Sequence, residues 1–133
     1  MQELELIDEE NLPSWFKYPK EFLRTVNLGL VYFDVWWIFD GDTLYSTYTG
    51  LKERYPDRDL VPFARKGGTD DHACWERGKG DKIVIIHDYA SPGYESREEY
   101  ESFWDWFRAV VEEMMEFDYD YDEEIDDDWL TKK

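Results

Sequence analysis

Ile83-Val84-Ile85-Ile86 is an unbroken run of β-branched residues, set between the turn signals Gly78-Lys79-Gly80-Asp81 and Pro92-Gly93. A run this short, without polar alternation, fits a central strand buried on both faces. Its neighbours read as strands too. Leu60 to Ala64 and His72 to Glu76 are short apolar or mixed runs separated by Gly67-Gly68-Thr69-Asp70. The linkers at 65–71 and 77–81 are too short for crossovers, so these strands are expected to be antiparallel. Pro62 cannot donate to a ladder, which places its strand at an edge or at a bulge. Val35 to Phe39 is β-branched and aromatic and reads as a further strand, with Asp40-Gly41-Asp42 as the turn after it. Thr43 to Tyr55 stays open: Leu51 and Tyr55 have helical spacing, whereas Thr47-Tyr48-Thr49 leans toward strand.

Two helices frame these strands. Pro19 suits the first turn of a helix, Phe22, Leu23 and Val26 follow at helical spacing, and Gly29 ends it. Near the other end, Ser96 and Glu99 have the spacing of a capping box. Tyr100, Phe103, Trp104, Phe107, Val111 and Met114 then recur at three and four residues. Such an aromatic stripe is read as packing on the sheet rather than as a partner groove. The element order predicts an α+β fold: a mostly antiparallel sheet of about four to six strands, flanked by an N-terminal helix and a long C-terminal helix.

Length and charge narrow the rest. The 133 residues make one domain, 1–133, with a core over 12–116, a polar arm or short helix before it and an acidic tail at 117–133. Hydrophobic residues make up 42% and aromatics 19%, so aromatic rings supply much of the core. The formal net charge of -18 repels duplex nucleic acid and anionic lipid, and points to basic proteins or cations as partners. Cys74 is the sole cysteine, which excludes an intramolecular disulfide and fits a reducing cytoplasm. The opening MQELELIDEE lacks the apolar run of a signal peptide, and no stretch approaches the roughly 20 apolar residues of a membrane span.

Motifs for chemistry are weak. Between Glu116 and Asp128 stand nine carboxylates and no basic residue. Asp118-x-Asp120-x-Asp122 resembles the opening of a calcium loop, but Glu123 and Trp129 occupy the positions that need Gly and Glu. The tail is read as a solvated charge run, with a docking strip for a basic partner as the competing reading, Tyr119, Tyr121 and Trp129 adding contact area. Asp40-Gly41-Asp42-Thr43 inverts the order used by aspartate-nucleophile phosphatases. His72, Cys74, His87 and Asp88 lack the tight ligand pairs of a zinc site, and Cys74 with His87 is a thin case for a nucleophile and base. No cofactor is expected. A carboxylate hydrolase built on Asp70, Asp71 and Asp88 is a third reading. The turn segments Asp70-Asp71-His72, His87-Asp88-Tyr89 and Tyr94-Glu95 mix acids with aromatics, a composition that suits a surface for a basic partner. The candidate partner-binding residues are therefore Asp70, Asp71, His72, Trp75, His87, Asp88, Tyr89, Tyr94 and Glu95, with Asp118, Asp120 and Asp122 from the tail.

The order of short motifs resembles a known family. Trp15-Phe16-x-Tyr18-Pro19, Trp36-Trp37-Ile38, Tyr55-Pro56-x-Arg58, Leu60-Val61-Pro62-Phe63-Ala64, Asp70-Asp71-x-Ala73-Cys74-Trp75, Val84-Ile85-Ile86-His87-Asp88 and Phe103-x-x-Trp106 follow one another as in the SUKH superfamily, in its Smi/Knr-type branch. The resemblance spans residues 12–116. It implies a curved sheet flanked by helices, no catalytic residue set, and a role as a cytoplasmic immunity protein that binds and neutralises a polymorphic toxin, often a nuclease. Regulatory or scaffolding modules of the same family supply the alternative.

Overall fold

A computed structural model describes residues 4–117. Its elements are a single 3-10 turn at Glu9–Asn11, then α1 (Lys20–Asn27), β1 (Trp36–Ile38), α2 (Gly41–Arg54), β2 (Leu60–Lys66), β3 (Asp71–Glu76), β4 (Ile83–His87), β5 (Ser96–Tyr100) and α3 (Phe103–Phe117). The strands lie side by side in chain order, and every neighbouring pair is antiparallel. This is the α+β architecture expected from the short turns. Gly68 supplies the left-handed backbone that the β2–β3 turn needs, with φ of 74°. Pro62 lies beside a register shift between Pro62 and Ala64, so this inner strand accommodates it by a bulge and not by lying at an edge.

The run Ile83–Ile86 is buried throughout because the sheet is covered twice. Ile83 and Ile85 join a large aromatic cluster, while Val84 and Ile86 point the other way, toward Leu51 and Tyr55 at the end of α2. Period-two geometry makes both statements true of one strand. In the large cluster Phe63 and Trp75 have ring centroids 4.4 Å apart, and Trp106 meets Phe63 edge-on at 4.8 Å. Phe22 of α1 meets Trp75 at 5.2 Å. Edge-to-face and tilted contacts of this kind add to simple area burial.

Four expectations are corrected. Thr43 to Tyr55 is helical, and Asp40-Gly41-Asp42 opens that helix instead of forming a free turn. Its start is stapled to the N-terminal arm: Glu5 N–H donates to Asp40 Oδ2 at 2.9 Å and Gly41 N–H to Glu5 O at 2.9 Å. The arm is thus part of the fold, with Ile7 in the core. Second, Ser96 and Glu99 cap no helix. They belong to edge strand β5, where backbone pairing with β4 outweighs the local capping pattern. The cap sits six residues later, where Ser102 Oγ accepts the Asp105 N–H at 3.2 Å. Third, the buried face of α3 is Phe103, Trp106 and Val110, so Trp104 falls at its margin with 37% of its surface exposed. Pro19 also stands one residue outside α1, as its N-cap.

The phase of α3 is directly testable by urea denaturation. Trp106→Ala is expected to lower stability by about 3–5 kcal/mol, whereas Trp104→Ala loses less than about 1 kcal/mol. Similar losses at both positions would mean that the helix face is wrongly assigned.

Candidate functional site

Arg54 ends α2 and Arg58 stands in the loop that follows it, and each closes on a buried carboxylate. Arg54 grips Asp88 with both prongs, Nε to Oδ1 at 2.6 Å and Nη2 to Oδ2 at 2.7 Å. Arg58 grips Glu76, Nη2 to Oε1 at 2.6 Å and Nε to Oε2 at 2.8 Å, and extends Nη1 to Glu95 Oε2 at 3.0 Å. Between them the Tyr55 hydroxyl donates to Ala90 O at 2.8 Å. Glu95 also accepts the Gly93 N–H at 2.7 Å, and its own carbonyl accepts the His87 N–H at 2.7 Å. The loop from Asp88 to Glu95 is therefore pinned at both ends and in the middle.

What this loop presents is aromatic. Tyr89 is 69% exposed and Tyr94 75% exposed. Tyr89 holds φ of 67°, a left-handed conformation that a bulky side chain adopts only when its surroundings force it. The forcing groups are visible: Asp88 Oδ1 accepts the Tyr89 N–H at 2.9 Å, and the Arg54 guanidinium sits 4.1 Å from the centre of the Tyr89 ring. Cation–π stacking and bidentate pairing thus share one arginine.

Arg54 reaches Asp88 because of Gly50. A Cβ placed on Gly50 would lie 2.5 Å from Arg54 Nη2 and 2.8 Å from Nη1. A mid-helix glycine costs about 1 kcal/mol relative to alanine. Here the missing side chain leaves the space along which the guanidinium lies.

Burial alone would push the Asp88 and Glu95 carboxyls up. The arginine hydrogen bonds and N–H donors outweigh it and hold both below the usual carboxylate range. Burial lowers the His72 imidazole, partly offset by Asp88. His72 Nε2 lies 3.2 Å from Asp88 Oδ2. An ionised carboxylate only accepts, so Nε2 carries the proton and Nδ1 is left as a bare acceptor. That Nδ1 is buried without a partner, as is Arg65 Nε. An orphaned buried polar atom costs roughly 1–3 kcal/mol. Both side chains line a cavity of about 370 Å³ between α2 and the β2–β3 hairpin, with Asp70 and Tyr89 at its walls. A larger cleft of about 570 Å³ lies on the other side of Arg58, beside Asp59 and Arg77.

The sequence-derived candidates divide accordingly. Asp70, Tyr89 and Tyr94 lie at or near the surface, as expected. Asp71 is partly exposed and accepts from His87 Nδ1 at 2.7 Å. Four residues are corrected. Trp75 is 2% exposed at the centre of the aromatic core, because its strand turns that side chain toward α1. His72, Asp88 and Glu95 are likewise buried, engaged with this chain's own groups. Cys74 is buried, and burial pushes its thiol well up, away from nucleophilic reactivity. Asp118, Asp120 and Asp122 lie outside the described residues. Among the described residues no three acidic, His or Cys side chains come together as metal ligands, and no helix is long and apolar enough to cross a membrane. Gly50, Arg54, Arg58 and Arg65 escaped the sequence reading as site residues. The available signal was the scarcity of basic residues, 15 against 33 acidic ones.

No family model, no curated protein and no solved structure matches the chain.

Two outcomes test this network. Gly50→Ala, normally stabilising in a helix, is expected to destabilise by about 1–2 kcal/mol by displacing Arg54, and to become neutral or stabilising in an Asp88→Asn background. Loss that persists unchanged in the double variant would separate Gly50 from the ion pair. The pH dependence follows from the lowered carboxyls: their contribution is present above the ordinary carboxyl range, about pH 4, and is lost as pH falls through their depressed values. Urea midpoints measured from pH 6 downward (about one pH step apart) should therefore drop more steeply below about pH 4 in the wild type than in Asp88→Asn/Glu95→Gln.

Proposed function

We propose that this protein is a cytoplasmic protein-binding module that docks a basic partner through the Asp88–Glu95 loop and the carboxylates beside it. The observation that carries the reading is the pairing of exposure with rigidity: Tyr89 and Tyr94 are the most exposed large hydrophobics among the described residues, on a loop anchored by two buried arginine clamps. Rigid tyrosines make effective interface anchors because little conformational entropy is lost on docking. Asp70 and Glu53 line the same cavity as Tyr89, and the net charge of -18 favours fast association with a positively charged face. The motif order that resembles the SUKH superfamily supports the narrower role of an immunity protein that occludes a toxin, and a basic nuclease is the toxin best matched to this charge.

The test begins with capture of the tagged chain's partner from lysate of its own host, followed by affinity measurements on the purified pair. Tyr89→Ala/Tyr94→Ala is expected to weaken binding by roughly 2–4 kcal/mol, and association should slow as salt rises. An acidic partner, unchanged affinity in the double variant, or a rate indifferent to salt would overturn the proposal. Inhibition of the partner's own activity by the wild type, and not by the double variant, distinguishes an antidote from a scaffold.

A further inference from the structure

Besides the paired Arg54 and Asp88, the cavity between α2 and the β2–β3 hairpin is lined by charges of both signs that make no ion pair among the described residues, Arg65, Asp70 and Glu53. Arg65 stands on β2 directly across from His72 of β3. It makes no ion pair among the described residues, although Asp70 and Glu53 line the same cavity and make none either. Arg54 and Asp88, which line the same cavity, pair with each other instead. To this are added two orphaned atoms of opposite kind, the Arg65 Nε donor and the His72 Nδ1 acceptor, both on buried parts of lining side chains.

Each simple ligand class fails on one count. An anion would suit Arg65 and meet repulsion from Asp70 and Glu53. A cation would suit the carboxylates and meet Arg65. A neutral polyol would leave all three charges uncompensated. A small molecule carrying both charges a few bonds apart answers the three unpaired charges, Arg65, Asp70 and Glu53. We propose that this cavity binds a free α-amino acid, its carboxylate on the Arg65 guanidinium and its ammonium between Asp70 and Glu53. A planar guanidinium matches a carboxylate in bidentate fashion, and an ammonium distributes its three donors among several acceptors. The ligand's side chain meets Ser46 and Thr47, which favours a polar amino acid over an apolar one. The volume of about 370 Å³ lies at the small end of ligand pockets, roughly 300–1,000 Å³. The inference stands independently of the protein partner.

The experiment is a titration of the ¹⁵N-labelled full chain with each proteinogenic L-α-amino acid, following backbone amide shifts. At least one polar amino acid is expected to give saturable shifts centred on Gly50, Asp70 and Tyr89, with a Kd of about 1 mM or tighter. The N-acetyl and C-amide forms of the same amino acid, each lacking one charge, should bind at least roughly tenfold more weakly. Arg65→Met should abolish the shifts and Arg65→Lys weaken them, while Arg97→Met, on the opposite edge of the sheet, leaves them intact. Dispersion of the same spectra reports whether each variant is folded. Shifts that never saturate, blocked forms that bind equally well, binding that survives in folded Arg65→Met, or the same shifts produced by glucose would each overturn the proposal.

Discussion

Burying a carboxylate costs several kcal/mol unless a cation is buried beside it, and this chain has few cations to spare. Asp88, Glu76 and Glu95 are nonetheless buried, all served by two arginines four residues apart, one at the end of α2 and one in the loop after it. Much else follows from that placement. Arg54 ties the end of α2 to the loop after β4, and Arg58 ties the loop after α2 to β3 and to the start of β5, which holds α2 over the second face of the sheet. Without that cover, Val84 and Ile86 would face water. Gly50 is a local sacrifice of helix propensity to the same end.

The clamps also explain how a strained residue persists. Tyr89 holds a left-handed backbone because its N–H, its ring and its preceding carboxylate are all engaged by groups fixed elsewhere. Strain of this kind survives only where neighbours over-determine the geometry. Its consequence is an exposed aromatic with a defined direction. The N-terminal arm works on the opposite side in a similar way: Ile7 donates its N–H to the Tyr18 hydroxyl, Asp8 donates to that of Tyr45, and Tyr48 donates to Asn11 O. Tyrosines thus serve twice, as rings in the core and as hydrogen-bond partners for irregular chain.

Charge is arranged unequally over the molecule. Edge strand β5 exposes Arg97, Glu98 and Glu99, with Lys79 and Lys82 bridging to Glu99, which discourages strand addition. The cavity beside α2 holds the paired Arg54 and Asp88 next to Arg65, Asp70 and Glu53, which make no ion pair among the described residues, and Tyr89 of the tyrosine loop lines it. A net charge of -18 disfavours nucleic acid and favours basic surfaces alike, so the proposed binding of a basic nuclease and exclusion from that nuclease's substrate are physically compatible.

The antiparallel sheet, the double burial of Ile83–Ile86, the presence of α1 and an edge or bulge at Pro62 were legible in the sequence, because each depends on residues within a few positions: apolar period, turn length, a missing N–H. Tyr89 and Tyr94 were legible as surface aromatics for the same local reason. Ser96–Glu99 misled, because a capping box and an edge strand compete, and only the open edge of β4 decides between them. Trp104 misled by one helical step, since the stripe on α3 is wide enough to accept two phases until the sheet selects one. Trp75, His72, Asp88 and Glu95 could not be assigned to the interior from sequence, since burial of a polar group depends on a partner distant along the chain: 34 residues separate Arg54 from Asp88 and 37 separate Arg58 from Glu95. Local order was thus written in the sequence by itself, whereas the pairing of scarce arginines with buried carboxylates, and with it the shape of the candidate site, was decided by the tertiary structure, because Coulomb attraction in a low-dielectric interior acts between groups that only folding brings together.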